Sequence, residues 1–491
     1  GEFGSLTIEK GVRIRFGSKA NIISNGPVFI NGTPGMPVVF MPHESDEKWG
    51  GLEIRDHDGL SVLNHAFFFH GGSDPSRLFF HTETQAVVRS SFADICMFNC
   101  YIFENIGKGF GSESAEVIID ECLFATSAMG PEFRQSYSLV DHTWIVDIPD
   151  PDRERTGNDN DGIYFWKDLN DEHPPSRLDN SVVANIEDDA IDMLASDIEV
   201  YNTLFFEIMD KASSCGYWSD ASFDRCLIIG CNAGIVPGWW SDAKVSHTTF
   251  YETSRPVKNS IFGATEVWNS ILSKFSDVAW NDDLSNEPTF YYSLSDTKVL
   301  PGENNLLGDP KFIGTGVNSL HLKYDSPAID KGDPEFEPDP DGTRPDIGKF
   351  SYQSTVGAGA IVVNEIYYNP SASHGKDSDF EFIELYNPYN EATNISGYQL
   401  QGAIDFTFPF NTWLNGGEYL ILTANAESYK YLDNKVFDWG SEKLSNTGET
   451  LTFIDVNGKK LAEISYSGQD PWSPLADGNG FSLELSNPGD D

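Results

Sequence analysis

The chain has little positive charge. It carries 32 Lys and Arg against 76 Asp and Glu, so its formal net charge is −44. Such a surface repels the phosphates of nucleic acids and of anionic lipids, and neither is an expected partner. The charge suits a secreted or surface-exposed protein in saline surroundings, where salt screens self-repulsion beyond about 10 Å. It also offers many oxygen ligands for a structural Ca²⁺, although no cofactor is expected to be required.

Long apolar runs and paired cysteines are missing as well. No apolar run reaches the roughly 20 residues of a membrane span. The cysteines show neither a CxxC pair nor metal-ligand spacing and are expected as buried free thiols: Cys96, Cys100, Cys122, Cys215, Cys226 and Cys231. Residues 1–5 look like a cloning remnant, and a signal peptide removed upstream would agree with secretion. The length of 491 residues predicts two or three domains, and a monomer is expected.

The chain contains a repeat in place of these features. Each unit has an apolar residue, any residue, then Asn, Asp or His, followed by a short apolar strand. The third positions are Asn64, Asn99, Asp120, His142, Asn180, Asn202, Asp224, His247 and Asn269. From Asn99 onwards they are 21, 22, 38, 22, 22, 23 and 22 residues apart. This period predicts one coil of a parallel β-helix per unit, with coils stacked at roughly 4.8 Å. The two long intervals predict projecting loops.

The segments Trp49–Ile54 (WGGLEI) and Ser326–Asp330 (SPAID) carry a resemblance to secreted bacterial right-handed parallel β-helix proteins that act on carbohydrates. The resemblance implies an all-β chain with a β-helix catalytic domain over 6–351. A small-residue linker is expected over 352–360. Beyond it, alternating strands with tight turns resemble the lamin-tail domain, which implies an immunoglobulin-like β-sandwich over 361–491 with a spacing, anchoring or glycan-binding role.

Charged residues recur at one point of successive coils. The alignment places Asp161, Asp189 and Lys211 at equivalent positions of three consecutive coils, with Asp188 and Asp210 beside them. Asp192 lies three residues after Asp189. Stacked carboxylates repel, so the pKa of at least one should rise. A protonated carboxylic acid beside an ionised one is what glycosidic bond cleavage requires. The alternative, in which these aspartates close turns or bind Ca²⁺, stays open at this point.

The same coils resemble those of polygalacturonases, which are β-helical glycosidases. Residues 158–161 (NDND) and the pair 188–189 (DD) are similar to the first two motifs of that family, whereas its Gly-His-Gly and Arg-x-Lys motifs are missing. The resemblance implies a related acid mechanism on another glycan.

Scarce cations and turn aromatics are the candidate substrate contacts. The cations are Lys211, Arg153, Arg155, Lys167, Arg134 and His142, and the aromatics, whose faces stack on sugar rings, are Trp166, Tyr217, Trp218, Trp239 and Trp240. Cations in an anionic protein favour a sulfated or uronic polymer. The architecture resembles marine endo-acting hydrolases of sulfated fucans. A separate acidic segment offers a possible Ca²⁺ site at Asp333, Asp339 and Asp341.

The sequence therefore predicts an endo-acting glycoside hydrolase on an anionic, sulfated polysaccharide of the fucoidan type. The catalytic candidates are Asp161, Asp188, Asp189, Asp192 and Asp210. One alternative is a polysaccharide lyase, with Lys211 and Arg225 acting on a uronate polymer. The other is a non-enzymatic glycan-binding or cell-surface protein.

Overall fold

The chain divides into two compact units, Gly1–Tyr352 and Gln353–Asp491. The computed structural model describes residues 4–44, 47–149, 160–167, 174–277, 279–280, 286–312, 314–323, 326–340, 342–352, 361–373, 375–388, 392–432, 435–456, 458–469 and 472–485.

The first unit is built from three parallel sheets. The strands of sheet A are Leu6–Glu9, Val28–Asn31, Ser61–Asn64, Ile95–Phe98, Glu116–Asp120, Tyr137–Asp141, Ser176–Asp179, Ile198–Tyr201, Asp220–Asp224, Asp242–Ser246, Ala264–Trp268, Thr289–Tyr291 and Gly302–Glu303. Those of sheet B are Arg13–Phe16, Val38–Pro42, Ala66–Phe69, Tyr101–Phe103, Leu123–Ala125, Trp144–Ile148, Val182–Ile186, Leu204–Ile208, Leu227–Ile229, Thr249–Tyr251, Ile271–Ser273, Leu294–Ser295 and Leu306–Leu307. Those of sheet C are Ile22–Ser24, Leu52–Arg55, Ala86–Ser91, Lys108–Glu113, Met129–Arg134, Ile163–Trp166, Ile191–Leu194, Lys211–Gly216, Ala233–Pro237, Arg255–Asn259 and Ala279–Trp280.

Each coil up to Trp280 contributes one strand to each sheet, and the described strands of this unit after it belong to sheets A and B only. Strands pair with the equivalent strands of the neighbouring coils. Alternation along the strands explains the core. In Ile198–Tyr201, for example, Ile198 and Val200 are buried whereas Glu199 and Tyr201 are exposed. Inward residues from all three sheets form one continuous apolar core. The predicted parallel β-helix is confirmed.

The corner between sheets A and B is a ladder of residues in the left-handed conformation. At three coils the residue at this corner is not the one that the sequence predicted. His142, Asn180, Asn202, His247 and Asn269 all have positive φ there, with Asn99 at the same position. On three other coils the position belongs to His65, Glu121 and Arg225. The predicted Asn64, Asp120 and Asp224 instead end the preceding sheet A strands. The stacked coils impose the left-handed turn, so residues other than Asn occupy it.

The next residue inward forms a second ladder, which accounts for three of the cysteines. The backbone N–H of Cys100 contacts Sγ of Cys122 at 3.4 Å, and that of Cys122 donates to Oγ1 of Thr143 at 3.3 Å. Further along, the N–H of Cys226 donates to Oγ1 of Thr248 at 3.2 Å. All six cysteines are buried free thiols, as the sequence predicted.

The second unit is a small antiparallel β-structure with its own core. One sheet contains Val362–Tyr367, Phe382–Tyr386, Tyr419–Thr423, Lys435–Asp438 and Leu483–Glu484, and the other contains Gln399–Gly402, Phe406–Thr407, Glu449–Ile454 and Lys460–Tyr466. A short pair joins Thr393–Asn394 to Trp413–Leu414. The predicted all-β chain with a small C-terminal β-domain is confirmed.

Helical structure in the described residues is limited to single 3₁₀ turns at His81–Glu83, Val317–Ser319, Asp377–Asp379, Ala426–Tyr429 and Pro474–Ala476. None of the helices in the described part of the chain could cross a membrane.

Candidate active site

Three coils place charged residues at the corner between sheets B and C. The register pairs Ile163 with Ile191, and the N–H of Gly162 donates to the carbonyl of Asp189 at 2.8 Å. One coil on, the N–H of Ala190 donates to the carbonyl of Lys211 at 2.8 Å. Asp161, Asp189 and Lys211 therefore occupy equivalent positions, as the alignment of the coils predicted.

Lys211 bridges two carboxylates. Its Nζ donates to both Oδ1 and Oδ2 of Asp189 at 3.0 Å each and to Oδ2 of Asp210 at 2.6 Å. Its backbone N–H donates to Oδ1 of Asp189 at 3.1 Å. Asp189 is thus fixed by its neighbour on the next coil, and these bonds raise the pKa of Lys211 despite its burial. Lys211 stays charged and is a poor base.

Four aspartates converge beside this ion pair. One carboxylate oxygen from each of Asp161, Asp188 and Asp189 lies within 4.8 Å of the others, and the same limit joins Asp161 and Asp192 to a ring nitrogen of His81. Two carboxylates at this separation repel by roughly 3 kcal/mol at an effective dielectric constant of 20. Such a concentration of negative charge favours a bound cation or a shared proton.

His81 reaches the cluster from a distant coil. It lies in the loop between Ala66–Phe69 and Ala86–Ser91, and its Nε2 is 3.3 Å from Oδ2 of Asp161. Its ring stacks on Tyr164 with centroids 3.9 Å apart. Sequence reasoning assigned neither residue to the site. The long interval after Asn64 signalled the loop, but nothing in the sequence indicated that the loop folds back onto sheet C.

A buried ion pair holds this loop. Lys108 and Glu132, both fully buried, form a salt bridge beneath it. Lys108 also donates to the carbonyl of Phe79 at 3.0 Å and to that of His81, while Oε1 of Glu132 accepts the N–H of His81 at 3.2 Å. Burial lowers the pKa of Lys108 and raises that of Glu132. The pair attaches the His81 backbone to sheet C.

The buried carboxyl group of Asp189 has a raised pKa. Burial raises its pKa to about 8, the charges of Asp192, Asp210 and Asp188 act in the same direction, and Lys211 opposes them. Asp189 can therefore hold a proton near neutral pH, as a general acid must.

This shift makes stability depend on pH. Between about pH 4 and pH 8 the native state keeps a proton on Asp189 that the unfolded chain releases. The free energy of unfolding should therefore fall as pH rises through that window, by at most about 1.4 kcal/mol per pH unit, and level off above it. Urea unfolding from pH 5 to 9 in EGTA measures the effect. The Asp189→Asn variant should lose this part of the slope, and parallel profiles of the two proteins would contradict the assignment.

Other predicted contacts lie at the opposite edge of sheet C. The guanidinium of Arg134 packs 3.4 Å from the ring centroid of Phe80 and 4.4 Å from that of Trp166. Lys167 is buried and donates to the carbonyl of Pro174 at 3.2 Å. Arg134 and Trp166 are the last residues of their strands and Lys167 follows the second, so these residues lie two or more positions beyond the level of Asp192 and further from Asp161 and Asp189.

The prediction that His142 lies near the aspartates is wrong. It sits at the corner between sheets A and B, with Nδ1 3.1 Å from Oδ1 of Asp141 and 3.4 Å from Oδ1 of Asp120. Arg225 occupies the same corner, so it cannot join Lys211 in a lyase pair. Both errors arise because sequence neighbours within a coil face different sheets. Arg153 and Arg155 lie outside the described residues.

The predicted Ca²⁺ segment packs against the side of the β-helix, where the N–H of Asp333 donates to Oδ1 of Asn269 at 2.6 Å. Oδ2 of Asp339 accepts the N–H of Asp346 at 2.7 Å, and Oδ1 of Asp333 accepts that of Glu335 at 3.0 Å. These carboxylates close turns of the segment. Asp341 lies outside the described residues.

The remaining aromatics form a continuous exposed stack, here called the aromatic ladder, of Tyr217, Trp218, Trp239, Trp240 and Phe262. Trp218, Trp240 and Phe262 stack in sequence at 5.2 and 4.9 Å, and Tyr217 stacks on Trp239 at 5.6 Å. Each ring stays between 38% and 51% exposed. The ladder follows the ends of three sheet C strands on successive coils. The ladder is therefore accessible to a ligand from solvent.

Comparisons with known proteins agree with the two-part architecture. Residues 354–468 match the Lamin Tail Domain family. A search of curated proteins gave no match. Similar solved structures include pectate lyase Pel9A, with 12% identity, 71% of this chain and 88% of that chain covered and a TM-score of 0.41. A mannuronic acid specific family 6 lyase from human gut microbiota has 12% identity, 62% and 87% coverage and a TM-score of 0.36. The siphovirus 9NA tailspike receptor binding domain has 8% identity, 94% coverage of both chains and a TM-score of 0.32. By its own strand order the chain is a parallel β-helix, and its C-terminal segment is similar to lamin tail domains.

Proposed function

We propose that the protein cleaves an anionic polysaccharide at the aspartate cluster, by β-elimination beside a uronate carboxylate. The observation that carries this proposal is the convergence of Asp161, Asp188, Asp189 and Asp192 with His81. Hydrolysis of a glycosidic bond uses two carboxyl groups about 5 Å or more apart. Here Asp161 lies within 4.8 Å of Asp188 and Asp189 in one group and of Asp192 and His81 in another, and this set of carboxylates matches an oxygen-rich cation site.

The donor set fits Ca²⁺. Carboxylate oxygens are the ligands that this ion prefers, and a single imidazole among them does not favour a softer metal. Asp161, Asp188, Asp189 and Asp192 would hold the ion. A bound Ca²⁺ supplies charge neutralisation of the substrate carboxylate, which makes the adjacent C–H bond more acidic.

His81 and Tyr164 supply the proton transfers. Imidazole accepts a proton near neutral pH, and Asp161 orients the His81 ring. The proton on the carbon next to the uronate carboxylate goes to His81, and its electron pair forms the new C=C bond. The bond from the neighbouring carbon to the glycosidic oxygen breaks, and that oxygen takes a proton from Tyr164. Lys211 keeps Asp189 in place throughout.

Hydrolysis is the second candidate, because burial and neighbouring carboxylates raise the pKa of Asp189 to about 8. In that reaction Asp189 protonates the leaving oxygen, and Asp192 activates water or attacks. The substrate predicted from the sequence, a sulfated fucan, belongs to this candidate.

Product analysis tests the proposal. The full chain is incubated with polygalacturonate, alginate and sulfated fucan, with Ca²⁺ or EGTA, and both reducing ends and absorbance near the ultraviolet band of unsaturated uronides are followed. We expect reducing ends and absorbance to rise together on a uronate polymer, and EGTA to stop both. New reducing ends without a rise in absorbance would reject β-elimination and support hydrolysis. No products from any polymer would reject catalysis and favour a glycan-binding role.

A further inference from the structure

Two cations lie on sheet C close to the cluster. Arg255 and Lys258 belong to the strand Arg255–Asn259, and both are partly exposed. Neither has an ion pair or a hydrogen bond within the described part of the chain. Other described cations, such as Arg13, Arg15 and Lys244, also lack an ion pair. Arg255 and Lys258 differ from them in lying on sheet C, on the coils that follow the aspartate cluster.

The two cations also repel each other and Lys211. Burial, and then the charges of Arg255 and Lys211, lower the pKa of Lys258. An anionic ligand placed between these side chains would relieve that repulsion. Since the rest of the surface repels polyanions, this part of sheet C is favourable for one.

The cations occupy a defined position relative to the cluster. Arg255 pairs with Ala233, which pairs with Lys211. Arg255 therefore lies two coils beyond Lys211, at the equivalent position of its coil. Two coils correspond to about 10 Å along the solenoid axis. Lys258 lies three residues further along the strand, toward the aromatic ladder.

The aromatic ladder borders the same coils. Trp218 follows the strand Lys211–Gly216, Trp240 follows Ala233–Pro237, and Phe262 follows Arg255–Asn259. Because the rings stack on one another, they present to solvent their edges and the parts of their faces that the offset stacking leaves uncovered. Such aromatic surface packs against the apolar C–H groups of sugar rings. A ladder parallel to the axis suits consecutive rings of one chain. The cations and the ladder thus form two sides of one surface that begins at the cluster.

The geometry points to an anionic-sugar subsite in which Arg255 and Lys258 bind the carboxylate or sulfate groups of a polysaccharide and the aromatic ladder supports its rings. The polymer runs along the solenoid axis from the aspartate cluster toward the C-terminal coils. The identity of this ligand rests on the proposed function, but its binding does not require turnover.

Affinity electrophoresis of the full chain tests the subsite. The gels contain polygalacturonate, alginate, sulfated fucan or neutral dextran, and EGTA suppresses turnover. We expect the Arg255→Gln/Lys258→Gln variant to bind the retarding polyanion about tenfold more weakly than the wild type, since bonds to charged groups are lost. The matched control, Lys10→Gln/Lys244→Gln, removes the same charge from exposed sites on sheet A and its edge.

Salt separates the two sides of the subsite. The loss of affinity of the Arg255→Gln/Lys258→Gln variant, relative to the wild type, should become smaller at 0.5 M NaCl. The loss of affinity of Trp239→Ala/Trp240→Ala should persist, because salt screens charge but not stacking. Equal weakening in the lysine control, or absence of wild-type retardation by any polyanion, would overturn the inference. Binding that follows these expectations without any cleavage would reject the proposed function and leave the subsite standing.

Discussion

Asp189→Asn should reduce turnover on the order of a thousandfold while the β-helix stays folded. Asn keeps the size of the side chain but replaces the titratable carboxyl group that Lys211 contacts at 3.0 Å and that belongs to the acidic cluster. Initial rates on the polymer cleaved by the wild type measure the loss. The far-ultraviolet circular dichroism spectrum should be unchanged. Glu199→Gln, on the exposed face of the same coil, is the matched control and should keep wild-type rates.

His81→Gln separates the two candidate reactions. β-Elimination loses its proton acceptor, so turnover should fall as far as in the Asp189 variant. Hydrolysis through Asp189 and Asp192 would lose much less, because the imidazole takes no part in it. Full activity of Asp189→Asn would remove that residue from both mechanisms.

Glu132→Ala should lower the free energy of unfolding of the β-helix unit by about 3–5 kcal/mol. The reason is that the ammonium of Lys108 stays buried with carbonyl partners but no countercharge. Urea unfolding followed by intrinsic fluorescence measures the change. The exposed Glu116→Ala, also on a strand of the β-helix, should differ from wild type by less than about 0.5 kcal/mol.

The double variant Lys108→Met/Glu132→Leu tests the cause. Apolar side chains of similar size remove both desolvation penalties, so the double variant should be more stable than Glu132→Ala. Its activity should still fall, because the N–H of His81 loses its acceptor on Glu132. A double variant as unstable as the single one would show that packing, rather than the unpaired charge, governs the loss.

Much of the fold was readable from the sequence because a solenoid repeats local rules. The alignment of the repeats predicted which residues occupy equivalent positions of successive coils. The structure places Asp161, Asp189 and Lys211 at one such position. Burial of the cysteines followed from their apolar surroundings. Single-residue register was less secure, and Asp120 and Asp224 lie one position before the turn they were assigned to.

The sequence predicted only some of the residues of the candidate site. The aspartates were found because they lie close in sequence and repeat with the coil. His81 and Lys108 were missed, since a loop brings the first to the cluster and burial beneath that loop gives the second its role. His142 was assigned wrongly because the ladder to which it belongs lies at the corner between sheets A and B, whereas the aspartates lie at the corner between sheets B and C.

The sequence alone determined the solenoid, its period and the position of the acidic residues within each coil, since those depend on alternation and spacing along the chain. Tertiary structure alone decided which other side chains contact these acidic residues. The return of the His81 loop, the unpaired state of Arg255 and Lys258 and the exposure of the aromatic ladder depend on contacts between coils and on solvent access. Such contacts are formed by residues far apart in sequence, and no local pattern records them.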